Sequence, residues 1–377
     1  MEGNFTQACD ERIFIDGDGD EEEARQAITL GVDIEALIVL DNRKVQMASH
    51  FFPRHGAIGT DALIYRDRRG VGRNPVLEIR LKPADSARAL LNELHQKLTE
   101  VQKYLKYKQK VVANKTIALL AGCAPHPAFS LGGHLHARGV PLTIEWIRRF
   151  DLYLALPLLA LAPETCAARL KRYGYLGDIR FKPHGGFEYR TLPSWIVDPS
   201  LARYVLLMWE ALVRSMKQGR QGLIFSATED AVRLKHHAMI WQKLARLVPH
   251  YDPARKEDAR RMRTYARTVV GDLYERLQHE DFRHQYERLY HEHLQYERFQ
   301  QEHLQYERLQ MEAPSISSVS MVETMSLKEI FSKEWYMCFL QSLRWMLARL
   351  EEGWRWKEQE DIFPRWNAVN SYVGEDR

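Results

Sequence analysis

The sequence feature that most constrains the fold is a pair of polar residues at positions i and i+2, separated by an apolar residue, which occurs four times between residues 33 and 190. Alternate residues of a β-strand face the same side about 6.6–6.8 Å apart, so each pair projects from one face of a strand. The pattern predicts four strands that share a charged face and bury the opposite face. The pairs are Asp33 with Glu35, Glu78 with Arg80, His134 with His136, and Glu188 with Arg190.

The carboxylates of such a face need compensating positive charge. Two like charges about 4 Å apart repel by about 1 kcal/mol in water and by about 4 kcal/mol at an effective dielectric constant of about 20. Arg80 and Arg190 supply part of the compensation, and divalent cations, which prefer carboxylate oxygens, would supply the rest. A single pair is more often just the solvated side of a strand. Four pairs, with glycines beside them that permit close backbone approach, favour a ligand site.

Basic residues gather near the last pair: Arg172, Arg180, Lys182 and Arg190, with His184 beside them. Arginine suits bidentate contact with phosphate, and lysine suits a single charged contact. The sequence has no GxxxxGK[ST] or GxGxxG loop, so a nucleotide would be held by metals and by these side chains.

Two further basic residues, Arg169 and Lys171, lie at the end of the helix predicted before this region. The helix dipole favours cations in a last turn. We therefore expect both side chains to be solvated.

Strand-like and helix-like segments do not alternate one for one along the chain. GVDIEALIVL and VLEIRLKP have the period of two and the β-branched content of strands. Residues 143–173, 201–216 and 230–247 have helical spacing, with a break near Pro163. A doubly wound sheet would need regular alternation, so the pattern predicts the α+β class.

Composition divides the chain into five segments. After residue 251 Arg, Glu, His, Gln and Tyr dominate, and YER recurs at spacings that are not heptad multiples, which argues against a regular coiled coil. The last segment has a Trp-rich amphipathic helix that we expect to dock on the core or on a second copy. The segments are a mobile acidic leader (1–26), the domain with the four pairs (27–250), a helical YER segment (251–312), a linker (313–325) and the C-terminal helix with its tail (326–377).

Charge and cysteine content narrow the functional classes. The net charge is +4 from 54 basic and 50 acidic residues, so no overall basic field would recruit nucleic acid. The four cysteines show no CxxC spacing, which favours reduced thiols. The longest apolar run, Leu152–Ala162, contains a proline and is shorter than the ~20 residues of a bilayer span. With no secretory signal pattern at the start, we expect a cytoplasmic protein.

Four stretches resemble the phage-type carboxylate-amine ligases, or amidoligases of type 2, of the glutamine synthetase and glutamate-cysteine ligase superfamily. GVDIE resembles the family's G-x-D-x-E strand, NPVLEIRLKP its E-[IL]-R strand, and GGHLH its G-G-H-x-H motif. GYLGDIRFKPHGGFEYRTLPSW is the most family-like stretch, and the resemblance covers roughly residues 28–200. Ile34 stands where the family commonly has proline, and the segments after residue 200 have no counterpart that we can place.

The resemblance implies a curved antiparallel sheet that forms part of a barrel, with helices on its outer face, and a C-terminal helical extension. It implies an enzyme that uses ATP and Mg²⁺, with Mn²⁺ as an alternative ion, to join a small-molecule or peptide carboxylate to an amine through an acyl phosphate. The implied metal ligands are Asp33, Glu35, Glu78, Glu188 and His134, the last as a metal or phosphate ligand.

The remaining site residues follow from the same resemblance and from their chemistry. Arg190 would steady the γ-phosphate, and Arg80 or Arg180 would hold the carboxylate substrate. ATP would also meet the side chains of the basic group. His136 and His184 are candidates for the general base by chemistry alone. The ATP-binding set is Arg172, Lys182, His184 and Arg190.

Two other functions fit parts of the pattern. A metal-dependent hydrolase could use the H-x-H and D-x-E pairs as ligands, because H-x-H on a strand is a frequent metal pair. It would leave Glu188, Arg190 and the basic group without a role. A non-catalytic scaffold could use the YER segment as its interaction surface.

Overall fold

The structure is a computed structural model, and the described parts of the chain contain ten strands and nine α-helices. Those parts are residues 27–41, 44–66, 68–111, 116–183, 185–217, 230–278 and 332–369. The predicted leader, the linker and the YER units at Tyr286, Tyr296 and Tyr306 lie outside them, as does His184.

Strands form most of the first half of the chain, and helices form most of the second. The strands are β1 (Thr29–Leu40), β2 (Lys44–Gln46), β3 (Ile58–Thr60), β4 (Tyr65–Arg66), β5 (Gly72–Arg73), β6 (Val76–Arg80), β7 (Ile117–Leu120), β8 (Gly133–Arg138), β9 (Ile179–Phe181) and β10 (Phe187–Tyr189). The helices are α1 (Ala87–Val111), α2 (Ile144–Phe150), α3 (Leu156–Leu161), α4 (Cys166–Leu170), α5 (Pro199–Lys217), α6 (Asp230–Leu247), α7 (Lys256–Gln278), α8 (Lys333–Glu352) and α9 (Phe363–Asn367). Asp151–Ala155 joins α2 to α3 as one π-helical turn.

The main sheet is antiparallel and open, in the order β3-β6-β1-β8-β10-β9. β1 is the central strand, and its second half also pairs with β2 and β7. β4 and β5 form a separate hairpin. Together with the helices this confirms the predicted α+β class, with a sheet that does not close into a barrel.

The apolar positions between the polar pairs form the core under the helices. Val32, Ile34, Leu77, Ile79 and Leu135 are at most 1% exposed and belong to one continuous cluster with side chains of the helices. Burying an aliphatic side chain of this size contributes about 1.5–3 kcal/mol, so the alternation in sequence sets which face of the sheet meets the helices.

The C-terminal helix was predicted to dock on the core or on a second copy, and in the structure it docks on the core. α8 packs on α5 and α7. The buried carboxylate of Glu210 in α5 accepts hydrogen bonds from the Trp335 indole and from the Ala87 backbone amide, both at 2.8 Å. α8 ends at Gly353, whose φ of 66° is the left-handed conformation that commonly terminates a helix.

The segment after α8 reaches the edge of the sheet. Ile362 donates its backbone amide to Leu119 of β7 at 3.1 Å, and the Leu119 amide donates to the Asp361 carboxylate at 3.0 Å. The Glu358 carboxylate accepts backbone amides from the loop after β7 and the hydroxyl of Thr165. The C-terminal segment is therefore part of the same packed structure as the sheet.

The expectation that all cysteines are reduced thiols is wrong for two of them. Cys123 and Cys166 form a disulfide with their Cα atoms 4.9 Å apart, while Cys338 is free. Sequence spacing missed the pair because the two residues are 43 positions apart and are brought together by the packing of α4 on the loop after β7. Among the described helices, none has the length and apolar character needed to cross a bilayer.

Candidate active site

The four strands that carry the polar pairs are neighbours in the sheet, in the order β6-β1-β8-β10. Their register brings the pairs level with one another. Asp33 lies opposite Arg80 on one side and His134 on the other, and Glu35 lies opposite Glu78. On β10, Glu188 lies opposite His136 of β8 on one side and opposite Arg180 of β9 on the other. The polar residues thus form one continuous face.

Glu188 is the centre of the basic half of this face. Its carboxylate is fully buried and accepts from the Nε of Arg180 at 2.7 Å and from the Nζ of Lys182 at 2.5 Å. Nε of Arg190 is 3.6 Å from its other oxygen, and Nδ1 of His134 is 3.2 Å from that same oxygen. Four side chains that carry or can carry positive charge therefore surround one carboxylate.

These neighbours keep Glu188 ionised. Burial alone would raise its pKa, but the hydrogen bond from Lys182 and the charge of that lysine work against burial, and the pKa of Glu188 is lowered. Asp33 behaves in the same way: burial opposes ionisation, yet the hydrogen bond and charge of His136, whose Nε2 lies 3.1 Å from Oδ2, lower its pKa.

Glu35 and Glu78 form the acidic half and show the opposite shift. Burial raises the pKa of Glu35 to about 8, and the nearby charge of Asp61 adds to the effect. Burial likewise raises the pKa of Glu78 to about 7, although its ion pair with Arg80 works against the shift. Both groups therefore hold a proton more readily than a free glutamate does.

The Glu35 carboxyl is held in place by two donors. The backbone amide of Gly132 donates to Oε2 at 2.6 Å, and the hydroxyl of Tyr173 donates to the same oxygen at 3.2 Å. The backbone of Glu35 bonds to the same turn through the carbonyl of Gly132 at 3.0 Å. A Cβ at position 132 would lie 2.3 Å from Nε2 of His134, so only glycine fits there.

The expectation that the Arg169 side chain is solvated is wrong. Its side chain is fully buried, not solvated, and donates to the carbonyls of Leu131, Thr191 and Leu192 at 2.8, 2.7 and 2.6 Å. It also lies 4.6 Å from the ring centroid of Tyr173. Arg169 thereby ties the Gly132 turn beside Glu35 to the chain that follows Glu188, while Lys171 is exposed as expected.

A signal for Arg169 was present in the sequence. Cys166 and Leu170 lie four residues apart on one face of α4, and Arg169, three residues after Cys166, shares that face. Both flanking residues are buried in the core. A cation on the apolar side of a short helix predicts a buried guanidinium with carbonyl partners.

The remaining predicted residues occupy distinct positions around the face. Arg190 also approaches Asp178, with Nη1 3.7 Å from Oδ1. Arg80 donates to the carbonyls of Gly56 and Thr60 at 3.2 and 3.0 Å, which fixes its guanidinium at the β3 edge. Arg172 lies on the surface and donates to the Pro127 carbonyl at 2.6 Å. It does not contact Glu188 directly, so the basic group is less compact than its spacing suggests.

The donor set suits a hard divalent cation in type but is not assembled around one point. Within the described residues, no three His, Cys, Asp or Glu side chains are arranged to hold one metal ion. Burial lowers the pKa of His134 to about 3, so its imidazole is neutral. With Nδ1 beside Glu188, its buried Nε2 has no hydrogen-bond partner in the described structure. Metal-binding histidines often use this arrangement, donating one N–H to a carboxylate.

Comparison with known proteins identifies the family. Residues 30–232, more than half of the chain, match the model of the family described as phage phiEco32-like COOH.NH2 ligase-type 2. The chain belongs to this family. The match contains all four polar pairs and the basic residues from Arg172 to Arg190, which confirms the resemblance seen in the sequence. A search among curated proteins gives no match.

Family membership gives the general function of the chain. The chain belongs to a family of carboxylate-amine ligases, and its general function is therefore that of an amide-forming ligase. The family match ends at residue 232, so most of α6 and all of α7, α8 and α9 lie outside the matched segment.

Proposed function

We propose that the protein is an ATP- and Mg²⁺-dependent ligase that activates a carboxylate as an acyl phosphate and then joins it to an amine. The observation that carries the proposal is the convergence of Arg180, Lys182, Arg190 and His134 on Glu188, next to a set of buried carboxyls. ATP would supply the phosphoryl group, and Mg²⁺ would supply charge neutralisation during its transfer.

The basic side chains would bind and orient phosphate oxygens. Glu188 holds Arg180 and Lys182 at the edge of the sheet, and both side chains remain partly exposed, at 53% and 32%. A polyanion could therefore exchange with Glu188 for these donors without unfolding the strand. Positioned donors of this kind stabilise developing charge more than mobile ones do.

The carboxyls would provide the oxygen ligands. Asp33 and Glu35 lie on β1, Glu78 on the neighbouring β6 and Glu188 on β10. A cation among them would relieve the burial and like-charge penalties that raise the pKa of Glu35 and Glu78. His134 would add the lone pair of its buried Nε2. Carboxylate oxygens are the ligands that Mg²⁺ prefers.

Two residues are proposed for substrate handling. Arg180 is better placed than Arg80 to hold the carboxylate substrate, because Arg80 is committed to two backbone carbonyls and to Glu78. His136 would accept the proton of the incoming amine at Nδ1, since its Nε2 faces the ionised carboxylate of Asp33. A carboxylate on one ring nitrogen orients an imidazole for proton transfer at the other.

The hydrolase alternative finds less support. His134 and His136 contact different carboxylates, Glu188 and Asp33, and are not directed at a shared point in the described structure. The basic group would also have no role in hydrolysis.

We further infer that the open sheet corresponds to a glutamine synthetase-like half-barrel. We also infer that the enzyme works in the cytoplasm, where ATP is supplied.

Hydroxylamine trapping tests the proposal. The full chain is incubated with ATP, Mg²⁺, hydroxylamine and a panel of small and peptidic carboxylates, and hydroxamates are detected with ferric ion. Hydroxamate that depends on both ATP and Mg²⁺ is expected for the wild type. Glu188→Gln should reduce the yield by at least about a hundredfold, whereas the matched surface variant Glu257→Gln should not. ATP-independent release of product, or full activity in Glu188→Gln, would contradict the proposal.

A further inference from the structure

An exposed hairpin projects from the sheet beside the acidic half of the site. The hairpin surface consists of four apolar residues and four arginines around β4 and β5. The apolar side chains are between 44% and 54% exposed, an unusual concentration among the large apolar side chains described as exposed. These residues are Leu63, Ile64, Tyr65, Val71, Arg66, Arg68, Arg69 and Arg73.

The hairpin is anchored to the strand that flanks the site. It begins at Asp61, directly after β3, whose Gly59 lies opposite Glu78. Asn74 closes its base by donating to the carbonyls of Asp61 and Leu63 at 3.0 and 2.9 Å. The base of the hairpin is therefore fixed next to Glu78. The protein would lose little conformational freedom when a peptide binds there.

A second contact connects the hairpin with the loop beside Arg172. The ring of Tyr65 packs against Phe129 with the centroids 6.0 Å apart. The loop that carries Phe129 is held by Arg172, which donates to the Pro127 carbonyl at 2.6 Å. The hairpin surface thus extends to the loop that Arg172 holds.

The charges of the hairpin surface indicate an anionic partner. Within the described residues, Arg66, Arg68 and Arg73 form no ion pair with a carboxylate, and Arg66 bonds to the Gly70 carbonyl at 3.1 Å. Of the exposed apolar residues, Leu63, Ile64 and Tyr65 directly precede Arg66 in sequence, and Val71 lies between Arg68 and Arg73. A partner that satisfies both must carry carboxylates and apolar side chains within a few residues of each other.

We propose that the hairpin surface docks an acidic, apolar stretch of a polypeptide, so that the carboxylate joined by the ligase belongs to a peptide or protein. The inference rests on the proposed function and specifies its substrate class. An anionic membrane fits less well, because the base of the hairpin lies beside Glu78 in the candidate site, where a substrate chain would meet it. Nucleic acid would leave the aliphatic residues without a contact.

Fluorescence anisotropy with the full chain tests the docking surface. The probe is a short fluorescein-labelled peptide that repeats Glu-Glu-Leu, measured without ATP at about 150 mM salt. The double variants Leu63→Ser/Ile64→Ser and Arg68→Glu/Arg73→Glu should each weaken binding about tenfold. The matched variant Met337→Ser/Arg344→Glu, which changes an exposed apolar residue and an exposed arginine of α8, should bind as the wild type does.

The possible outcomes separate the docking surface from the chemistry. Equal affinity in wild type and hairpin variants, or no peptide binding by the wild type, overturns the inference even when hydroxamate is formed from small acids. Displacement of the peptide by phosphatidylglycerol vesicles or single-stranded DNA, but not by unlabelled peptide, overturns it in favour of those partners. Peptide binding that is lost in the hairpin variants supports it, and in the absence of hydroxamate would show that the proposed function has failed while docking stands. Unchanged thermal unfolding of the variants shows that they fold.

Discussion

Glu188 and Glu35 lie on the same face of one sheet and are both buried, yet the pKa values of their carboxyls are shifted in opposite directions. Glu188 is surrounded by basic side chains, and its pKa is lowered. Glu35 has an amide, a phenol and the negative charge of Asp61 nearby, and its pKa rises to about 8. Burial is common to both, so the neighbours decide the direction of the shift.

This contrast gives the two halves of the face different uses. The basic half already balances its charge and can exchange one anion for another. The acidic half has excess oxygen donors and favours a cation or a proton. A reaction that brings together a polyanion and divalent cations needs both environments within one site.

The largest expected effect follows from removing one carboxylate from each half. Glu188→Gln leaves its basic partners facing one another and should lower the free energy of unfolding by about 3 kcal/mol. Glu35→Gln should cost less than about 1 kcal/mol near neutral pH, because an amide oxygen can accept one of the two existing hydrogen bonds. Urea denaturation of both variants measures the difference. Similar losses would break the contrast between the halves.

Arg169 tests whether the two halves are mechanically joined. Arg169→Lys cannot reach all of its carbonyl partners, and we expect a loss of about 2–3 kcal/mol because buried carbonyls are left without donors. Arg260→Lys, an exposed residue of α7 paired with Glu257, is the control and should not change stability measurably. Chemical denaturation of both variants decides, and equal stabilities would mean that Arg169 does not hold the turn.

Asp151 separates burial from like-charge repulsion, because it is buried on the helix side of the sheet. Burial raises its pKa to about 7 against the hydrogen bonds from Trp241, Gly177 and Tyr189, which lower it. Between about pH 4 and 7 the unfolded chain loses this proton first, so its contribution should make the native state less stable by roughly 1.4 kcal/mol per pH unit as pH rises. The difference in unfolding free energy between wild type and Asp151→Asn across this range isolates the contribution. If the difference between wild type and Asp151→Asn does not change with pH, burial alone does not raise a carboxyl pKa here. The raised pKa values of Glu35 and Glu78 would then be due to neighbouring charges.

The sequence predicted the regular parts of this structure and the face of the sheet. The two-residue period of VDIE, LEIR, HLHA and FEYR is a local property of strands, so the side of each polar residue followed directly. The need of the carboxylates for compensating charge led us to predict that the four strands share one charged face. The observed order β6-β1-β8-β10 agrees with that prediction.

Contacts between distant segments were harder to predict. The burial of Arg169 depends on carbonyls of two loops, and the role of Tyr173 depends on the position of Glu35 in another strand. The bond between Cys123 and Cys166 arises from helix packing and has no local signature. Opposite pKa shifts of similar glutamates likewise require the three-dimensional arrangement of their neighbours.

The pairing of Ile362 with β7 has a practical consequence for laboratory work with this protein. A shortened version ending at residue 232 would contain the whole family match but would leave the backbone of Leu119 without these partners. Unpaired strand edges invite self-association, and the apolar surface under α8 would meet water. Expression trials should therefore keep the C-terminal helices, since the packed structure extends beyond the segment that matches the family.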